Sequence, residues 1–223
     1  MMTSTNTVRE AFTDDCADFT APLAGATAGH LLFRNGASHV TIGSRSGTDE
    51  LFGAHFEGVV PDVAVDGGTV AIRYRRLSTF DWARFALMAG EHGADIALAA
   101  SVPWLIEVRG GVSRLDGDLG ALELSGLEIR GGASHIELVL GQPRGVVPIR
   151  VRGGASHVSI WRPADVAVRA TVRGGVSRLA LDEQRFGAVG GLTQVATGDW
   201  RQATSGYDVE IGGGASHLTI GAR

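Results

Sequence analysis

Apolar and polar residues alternate in short runs along most of this chain, and a pair of adjacent glycines separates many of these runs. In the segment IRVRGGASHVSI, residues 149–160, apolar side chains occupy alternate positions on both sides of Gly153 and Gly154. Alternation with a period of two is typical of β-strands, because successive side chains point to opposite faces of the sheet. The apolar positions therefore predict one buried face in every run, and the glycines mark corners or turns.

This segment recurs at a nearly constant spacing. The second glycine of each pair falls at residues 111, 132, 154 and 175, at intervals of 21 or 22 residues, and a further copy falls at Gly214. The longer interval before Gly214 leaves room for one imperfect copy, for which Gly190 and Gly191 are the candidate remnant. Self-similarity at a period of about 20 residues is typical of repeat proteins, in which each turn stacks on the next.

The periodicity predicts an all-β protein built as a β-solenoid, similar to a parallel β-helix, with roughly eight to ten turns. An alternative places each glycine pair in a type I′ hairpin turn and gives a multi-hairpin β-sandwich or prism. One short helical insert is expected near residues 78–90, where Ser78 or Thr79 can cap the helix and Gly90 can end it.

One domain is expected, preceded by a short N-terminal segment. Residues 1–20 are polar and acidic, and we expect them to form a tail or an edge strand. Residues 21–223 are expected to form a single β-solenoid domain. Its repeats are irregular over residues 31–103 and regular over residues 104–223.

Two residue types at the corners are expected to be structural. The second glycine of each copy gives the chain its freedom to turn. The serine two positions later is expected to point inward, where its hydroxyl would bond its copy in the next turn. These structural residues are Gly36, Gly111, Gly132, Gly154, Gly175 and Gly214, with Ser38, Ser113, Ser134, Ser156, Ser177 and Ser216.

Charged residues flank the corners at outward positions and suggest an anion-binding stripe. Arg34, Arg109, Arg130, Arg152 and Arg173 precede the glycines, and His39, Arg114, His135, His157, Arg178 and His217 follow them. Stacked at strand spacing, such a ladder would bind phosphate or carboxylate groups. Its candidate ligands are Arg109, Arg130, Arg152, Arg173, Arg114 and Arg178. The alternative is a solvated surface whose charge Glu107, Glu128 and Glu137 offset.

A metal site is a second hypothesis for the same ladder. His135 and His157 lie one repeat apart, so adjacent turns would present two imidazoles to one ion. Glu137 is the nearest third ligand. The alternative is that both histidines are exposed members of a repeated pattern.

No catalytic residue is predicted. Ser156 and His157 are consecutive in a strand, so alternation would place them on opposite faces and prevent proton transfer between them. The enzyme alternative is a β-helix protein that acts on polysaccharides. Its nearest candidate residues are Asp116, Asp118, Glu128 and Arg130.

Composition restricts the partners and the compartment. The 223 residues carry a net charge of −4, so nucleic acid is not expected as a partner. All 20 basic residues are arginine, which excludes a Schiff-base or P-loop lysine, and no cofactor is predicted. Cys16 is the single cysteine. The chain begins without a secretory pattern and has no apolar run of ~18 residues, so we expect a cytoplasmic protein without a membrane span.

The repeated motifs GGASH and GGVSR, together with PRGVVPIRVRGGASHVSI and YDVEIGGGASHLTI, resemble those of a known group of bacterial domains. These are the "putative adhesin" domains of unknown function, which have a repeat-built β-solenoid called the toastrack fold. They are similar to the C-terminal domain of cell-wall stress-response proteins. The resemblance covers residues 104–223 well and residues 31–103 loosely, and it implies a fold rather than a site.

The expected function is that of a non-catalytic structural or interaction module. Its partner would be an unknown protein or a second copy of the chain, because stacked turns expose their ends to association. The alternatives are a polysaccharide-acting β-helix enzyme and an anion or metal sensor along the His/Arg ladder.

Overall fold

The computed structural model describes residues 9–13, 16–47, 49–74 and 93–223, and these form twenty β-strands in two sheets. The described residues contain no helix, and the helical insert expected near residues 78–90 lies outside them. The all-β prediction is confirmed.

Sheet A contains eleven strands. In spatial order they are β1 (Arg9–Thr13), β2 (Cys16–Pro22), β5 (Glu50–Glu57), β8 (Gly93–Ala99), β4 (Ala37–Arg45), β10 (Val112–Leu119), β12 (Ala133–Leu140), β14 (Ala155–Arg162), β20 (Ala215–Ala222), β16 (Val176–Leu181) and β17 (Gln184–Phe186). Sheet B contains nine. In spatial order they are β18 (Thr193–Ala196), β15 (Ala167–Val172), β19 (Gly206–Ile211), β13 (Val146–Val151), β11 (Leu124–Arg130), β9 (Trp104–Arg109), β3 (Gly29–Arg34), β7 (Thr69–Arg73) and β6 (Asp62–Asp66).

Each glycine corner connects a strand of sheet B to the following strand of sheet A. β9 ends at Arg109 in sheet B, and β10 begins at Val112 in sheet A. Strands of successive layers then pair in parallel, as β10 does with β12. A hairpin would instead join two neighbours in one sheet. The solenoid prediction is therefore confirmed, and the hairpin alternative is wrong.

The described strands stack as seven layers that each contribute one strand to each sheet. Their spatial order is β7/β8, β3/β4, β9/β10, β11/β12, β13/β14, β19/β20 and β15/β16. This is fewer than the eight to ten turns expected. It also departs from chain order, because the C-terminal layer lies between the layers of β14 and β16.

The imperfect repeat expected at Gly190 and Gly191 is absent from the stack. These glycines lie between β17 and β18, which pair antiparallel with β16 and β15 at one end of the solenoid. At the other end β6 pairs antiparallel with β7, and β5, β2 and β1 extend sheet A beyond β8. Antiparallel strands thus flank the parallel stack at both ends, with β1 at the outer edge of sheet A.

The apolar side chains of both sheets meet in one core. Ile106 and Val108 of β9 and Leu115 of β10 are buried and belong to the same core cluster. Trp104 is also fully buried, and its indole N–H donates to the carbonyl of Ala99 at 2.8 Å. Burial of these groups drives folding at roughly 25 cal/mol per Å² of apolar surface removed from water.

The first residue after each glycine pair breaks the expected alternation. Ala155 and Val158 are buried, whereas Ser156 and His157 between them are exposed. The pairing of β12 with β14 likewise passes from Ala133–Ala155 to His135–His157. The expectation that the serines point inward is therefore wrong. All six are exposed: Ser38, Ser113, Ser134, Ser156, Ser177 and Ser216.

A small apolar residue takes the place expected for the serine. The chain leaves the corner with this residue facing the core, and two outward residues follow before regular alternation resumes. An alanine or valine fills the corner without burying a hydroxyl, which would need a hydrogen-bond partner there. In five layers these buried residues are Val112, Ala133, Ala155, Val176 and Ala215.

The corners themselves stack in one column, and the packing requirement falls mainly on the first glycine of each pair. A Cβ on Gly153 would lie 1.7 Å from the carbonyl oxygen of Gly131, whereas one on Gly154 meets nothing within 4 Å. Gly36 is an exception among the predicted positions, because its Cβ would lie 2.1 Å from the carbonyl oxygen of Gly111. The pattern did not indicate the tightly packed first glycines: Gly110, Gly131, Gly153, Gly174 and Gly213.

Candidate functional site

The outer face of sheet A carries two rows of side chains that run across the strands. The His/Arg row is, in spatial order, His39, Arg114, His135, His157, His217 and Arg178. The second row lies two residues further along the central parallel strands. It consists of Asp18, His55, Asp95, Thr41, Asp116, Glu137, Ser159, Thr219 and Ala180.

Three imidazoles stack in the middle of the His/Arg row. The rings of His135 and His157 have centroids 6.1 Å apart, and those of His157 and His217 are 4.6 Å apart. Arg178 Nη1 donates to His217 Nε2 at 2.7 Å, which requires a deprotonated Nε2. Desolvation lowers the pKa of His217, and the nearby Arg178 and His157 lower it further. The surroundings of His217 therefore favour its neutral form.

Carboxylates accompany the other end of the His/Arg row. Asp116 Oδ2 accepts hydrogen bonds from Arg114 Nε at 2.6 Å and from His39 Nε2 at 2.8 Å. Desolvation opposes ionisation of Asp116, but these hydrogen bonds outweigh it and lower the pKa of the carboxyl group. Glu137 Oε2 lies 3.8 Å from His135 Nε2. Asp116, His135 and Glu137 thus form a compact group of ionisable side chains.

The predicted metal pair is arranged differently from the expectation. His135 and His157 lie on adjacent strands with their rings stacked. The potential ligand atoms that converge within 4.8 Å of one another belong to His135, Glu137 and Asp116. Glu137 was the expected third ligand, whereas nothing in the repeat singled out Asp116 for this group, because it comes from a neighbouring layer.

The arginines that precede the glycines lie on the other side of the glycine column, at the ends of strands of sheet B. Arg109 Nε donates to Glu107 Oε2 at 2.8 Å, and Arg130 Nη2 donates to Glu128 Oε2 at 2.8 Å. The hydrogen bond from Arg130 lowers the pKa of Glu128. Carboxylate partners thus offset the positive charge of these arginines.

Most of the remaining candidate anion ligands also have carboxylate partners. Arg152 Nε lies 3.1 Å from Glu128 Oε1, and Arg173 Nε donates to Glu210 Oε1 at 2.8 Å. Arg34 lies on the same side of the glycine column, in register with Arg109. Arg114 pairs with Asp116, as described above. Among the described residues, Arg178 is the one candidate anion ligand that forms no ion pair with a carboxylate.

The residues considered for the enzyme alternative do not meet. Asp116 and Asp118 belong to β10 in sheet A, whereas Glu128 and Arg130 belong to β11 in sheet B. Ser156 and His157 are both exposed, so the expectation that they face opposite sides of the sheet is wrong. The serines and histidines nevertheless recur in successive layers, which is the arrangement of a repeated surface.

A second histidine environment lies near the β2 end of sheet A. His55 Nδ1 and Asp18 Oδ1 are 2.7 Å apart, and Glu57 Oε1 lies 3.9 Å from His55 Nε2. The hydrogen bond with Asp18 is the main cause of a raised pKa of His55. Asp18, His55 and Asp95 line an open cavity of about 510 Å³ on this face.

An ion pair that the repeat pattern did not indicate lies at the opposite end of sheet A. The side chain of Arg162 is 2% exposed, and its Nη2 donates to Asp182 Oδ2 at 2.6 Å. Both residues line an open cavity of about 830 Å³ beside Trp161. Arg162 occupies a buried position where alternation predicts an apolar residue, so the sequence carries no signal for it.

Comparison with known proteins identifies the family. The family model described as the N-terminal domain of toast_rack, DUF2154, matches residues 12–161. The chain belongs to this family. The match to the toast_rack domain includes residues 31–103, where the sequence repeats are irregular.

Two solved structures are similar to this toast_rack protein. One is a "putative cell adhesion protein" from Clostridium sporogenes, with a TM-score of 0.69, 16% identity, and coverage of 97% of this chain and 100% of that chain. The second is a "putative adhesin" from Bacteroides fragilis, with a TM-score of 0.32, 11% identity, and coverage of 93% and 98%. At its level of identity, the first similarity concerns the fold alone.

No curated protein matches the sequence. Within the described part of the chain, no helix has the length and apolar character needed to cross a bilayer.

Proposed function

We propose that this toast_rack domain is a non-catalytic interaction module that associates with a second copy of itself through the outer face of sheet A. The observation that carries the proposal is the charge distribution along this face. Second-row carboxylates occur on β2, β8, β10 and β12, whereas β14, β20 and β16 present Ser159, Thr219 and Ala180. On these last three strands the His/Arg row supplies two histidines and Arg178.

A two-fold arrangement uses both halves of this face. In an isologous dimer the same surface contacts itself, so the carboxylate half of one copy faces the histidine and arginine half of the other, and the reverse contact occurs by symmetry. Complementary charges guide encounter and register more than they add affinity. Arg178 supplies a permanent positive charge to one half, so added salt is expected to weaken the association.

Sedimentation velocity on the full chain tests this proposal. We expect a concentration-dependent dimer whose fraction falls with added salt. Arg178→Glu and Asp95→Arg should each weaken association, and the double variant should restore it if the two residues face each other. Arg130→Glu, on sheet B, is the control for a charge change elsewhere. A protein that stays monomeric at millimolar concentration and low salt, or a dimer insensitive to both substitutions, would contradict the proposal.

The non-catalytic assignment has separate support. Chemically active side chains recur in rows, and the charged residues considered for a polysaccharide-acting enzyme are divided between the two sheets. The similar Clostridium sporogenes structure is that of a "putative cell adhesion protein", which is in line with an interaction role. The cytoplasmic location expected from the sequence remains a proposal. Detection of the protein in separated cell fractions tests it.

A further inference from the structure

Three potential metal ligands from two neighbouring layers converge on the outer face of sheet A. Asp116 in β10 lies directly opposite Glu137 in β12, and His135 precedes Glu137 by two residues on the same face. Each side chain offers one ligand atom, and these atoms lie within 4.8 Å of one another. His135 and Glu137 themselves are close, with Nε2 and Oε2 at 3.8 Å.

The two oxygens of the Asp116 carboxylate have different surroundings. Its Oδ2 accepts hydrogen bonds from Arg114 and His39, which hold the group in place. Its Oδ1 is buried and has no hydrogen-bond partner among the described residues. Leaving a buried acceptor unpaired costs free energy, and a cation at Oδ1 would remove that cost. Hydrogen bonds to the far oxygen of a ligating carboxylate are the usual support for a metal site.

We propose that Asp116, His135 and Glu137 bind a divalent transition-metal ion of the zinc class. Each would contribute one atom: a ring nitrogen of His135, Oδ1 of Asp116 and a carboxylate oxygen of Glu137. Metal–ligand bonds of about 2.0–2.2 Å place the ligands of one ion within about 4.4 Å of each other. Small side-chain rotations therefore close the present arrangement around an ion.

The donor set and the charges determine which ion fits. One imidazole and two carboxylates suit zinc and its neighbours, whereas calcium takes six to eight oxygen ligands and magnesium retains several waters. Two carboxylates and the Arg114 guanidinium give a net negative site that attracts a divalent cation. The exposed side of the site leaves a coordination position open to water.

Titration calorimetry of the metal-free full chain with zinc chloride tests the site. We expect one ion per chain, and we expect His135→Gln and Glu137→Gln each to weaken binding at least about tenfold. His157→Gln is the matched control, since it removes the neighbouring imidazole of the same row, and it should leave the affinity unchanged. Circular dichroism of each variant checks that the fold is retained.

Cobalt substitution supplies a second readout. Coordination by a histidine nitrogen and carboxylate oxygens should give visible absorption bands that disappear in His135→Gln and persist in His157→Gln. Three results would overturn the proposal. The wild-type chain takes up no zinc, His157→Gln loses as much affinity as His135→Gln, or all variants bind equally, which indicates an adventitious ion only. Asp116 and Glu137 also lie on the proposed dimer face, so the titrations are made at a chain concentration and salt at which sedimentation velocity shows a monomer.

Discussion

The imidazole of His217 stacks on that of His157, with ring centroids 4.6 Å apart and planes only 5° from parallel. The contact exists because β20, the last strand, inserts between β14 and β16. The same insertion brings Arg178 within hydrogen-bonding distance of His217. The insertion thus places His217 beside Arg178 and His157, which lower its pKa in addition to desolvation.

The lowered pKa of His217 predicts a loss of stability in mild acid. The unfolded chain binds the proton near the ordinary pKa of 6.5, while the folded chain binds it only at lower pH. Unfolding is therefore favoured as the pH falls below about 6.5 and is unaffected by this group well above it. Thermal unfolding between about pH 5 and pH 8 should show a steeper acid loss of Tm in the wild type than in His217→Gln. Parallel curves for the two proteins would contradict this prediction.

His55 should respond to pH in the opposite sense. Its raised pKa means that the folded chain holds the proton more tightly than the unfolded chain. The resulting stabilisation is fully present below the ordinary value of 6.5 and is lost as the pH rises through the folded pKa. His55→Gln should therefore lower Tm at about pH 5.5 and have little effect at about pH 9. Asp18→Asn, which removes the main partner, should reproduce this pattern, and an equal loss at both pH values would refute the assignment.

The stacked corners predict different consequences for two adjacent glycines. A Cβ on Gly153 would lie 1.7 Å from the carbonyl oxygen of Gly131, so the backbone of two layers would have to move. Gly153→Ala should therefore destabilise the protein by at least about 2 kcal/mol. Gly154→Ala, whose Cβ would meet nothing within 4 Å, should change stability by no more than about 1 kcal/mol. Urea unfolding of the two variants measures the difference, and equal effects would show that the corners do not stack as described.

The exposed serines predict a tolerant position beside a sensitive one. Ser156 is exposed, so Ser156→Ala should change the free energy of unfolding by less than about 0.5 kcal/mol. The neighbouring Ala155 is 9% exposed at the corner, and Ala155→Ser should be destabilising by about 1 kcal/mol or more, because it buries a hydroxyl. If chemical denaturation showed a larger loss for Ser156→Ala than for Ala155→Ser, the serine would point inward, as alternation predicts.

Much of the strand pattern could be predicted from the repeat. Alternation identified the buried positions Ile149 and Val151 before a corner, and Val158 and Ile160 after it. It failed immediately after the glycines, where Ser156 and His157 are both exposed. The failure has a local cause, since a corner rotates the chain and interrupts the period of two that holds only within a regular strand.

The candidate site was predictable in its residue types but not in its groupings. His135 and Glu137 share one strand, and their spacing of two places them on one face. Asp116 joins them only because β10 pairs with β12 in the observed register. The proximity of Arg178 to His217 likewise depends on the pairing of β16 with β20.

Local sequence chemistry is sufficient to specify the strands, their buried faces and the glycine corners, since each follows from alternation or backbone freedom within one repeat. The order in which the layers stack is a property of the folded chain. Every layer presents similar apolar edges and similar backbone donors and acceptors, so the repeat itself does not distinguish one neighbour from another. Long-range packing, together with the antiparallel strands at each end, selects the arrangement in which the last layer lies inside the stack.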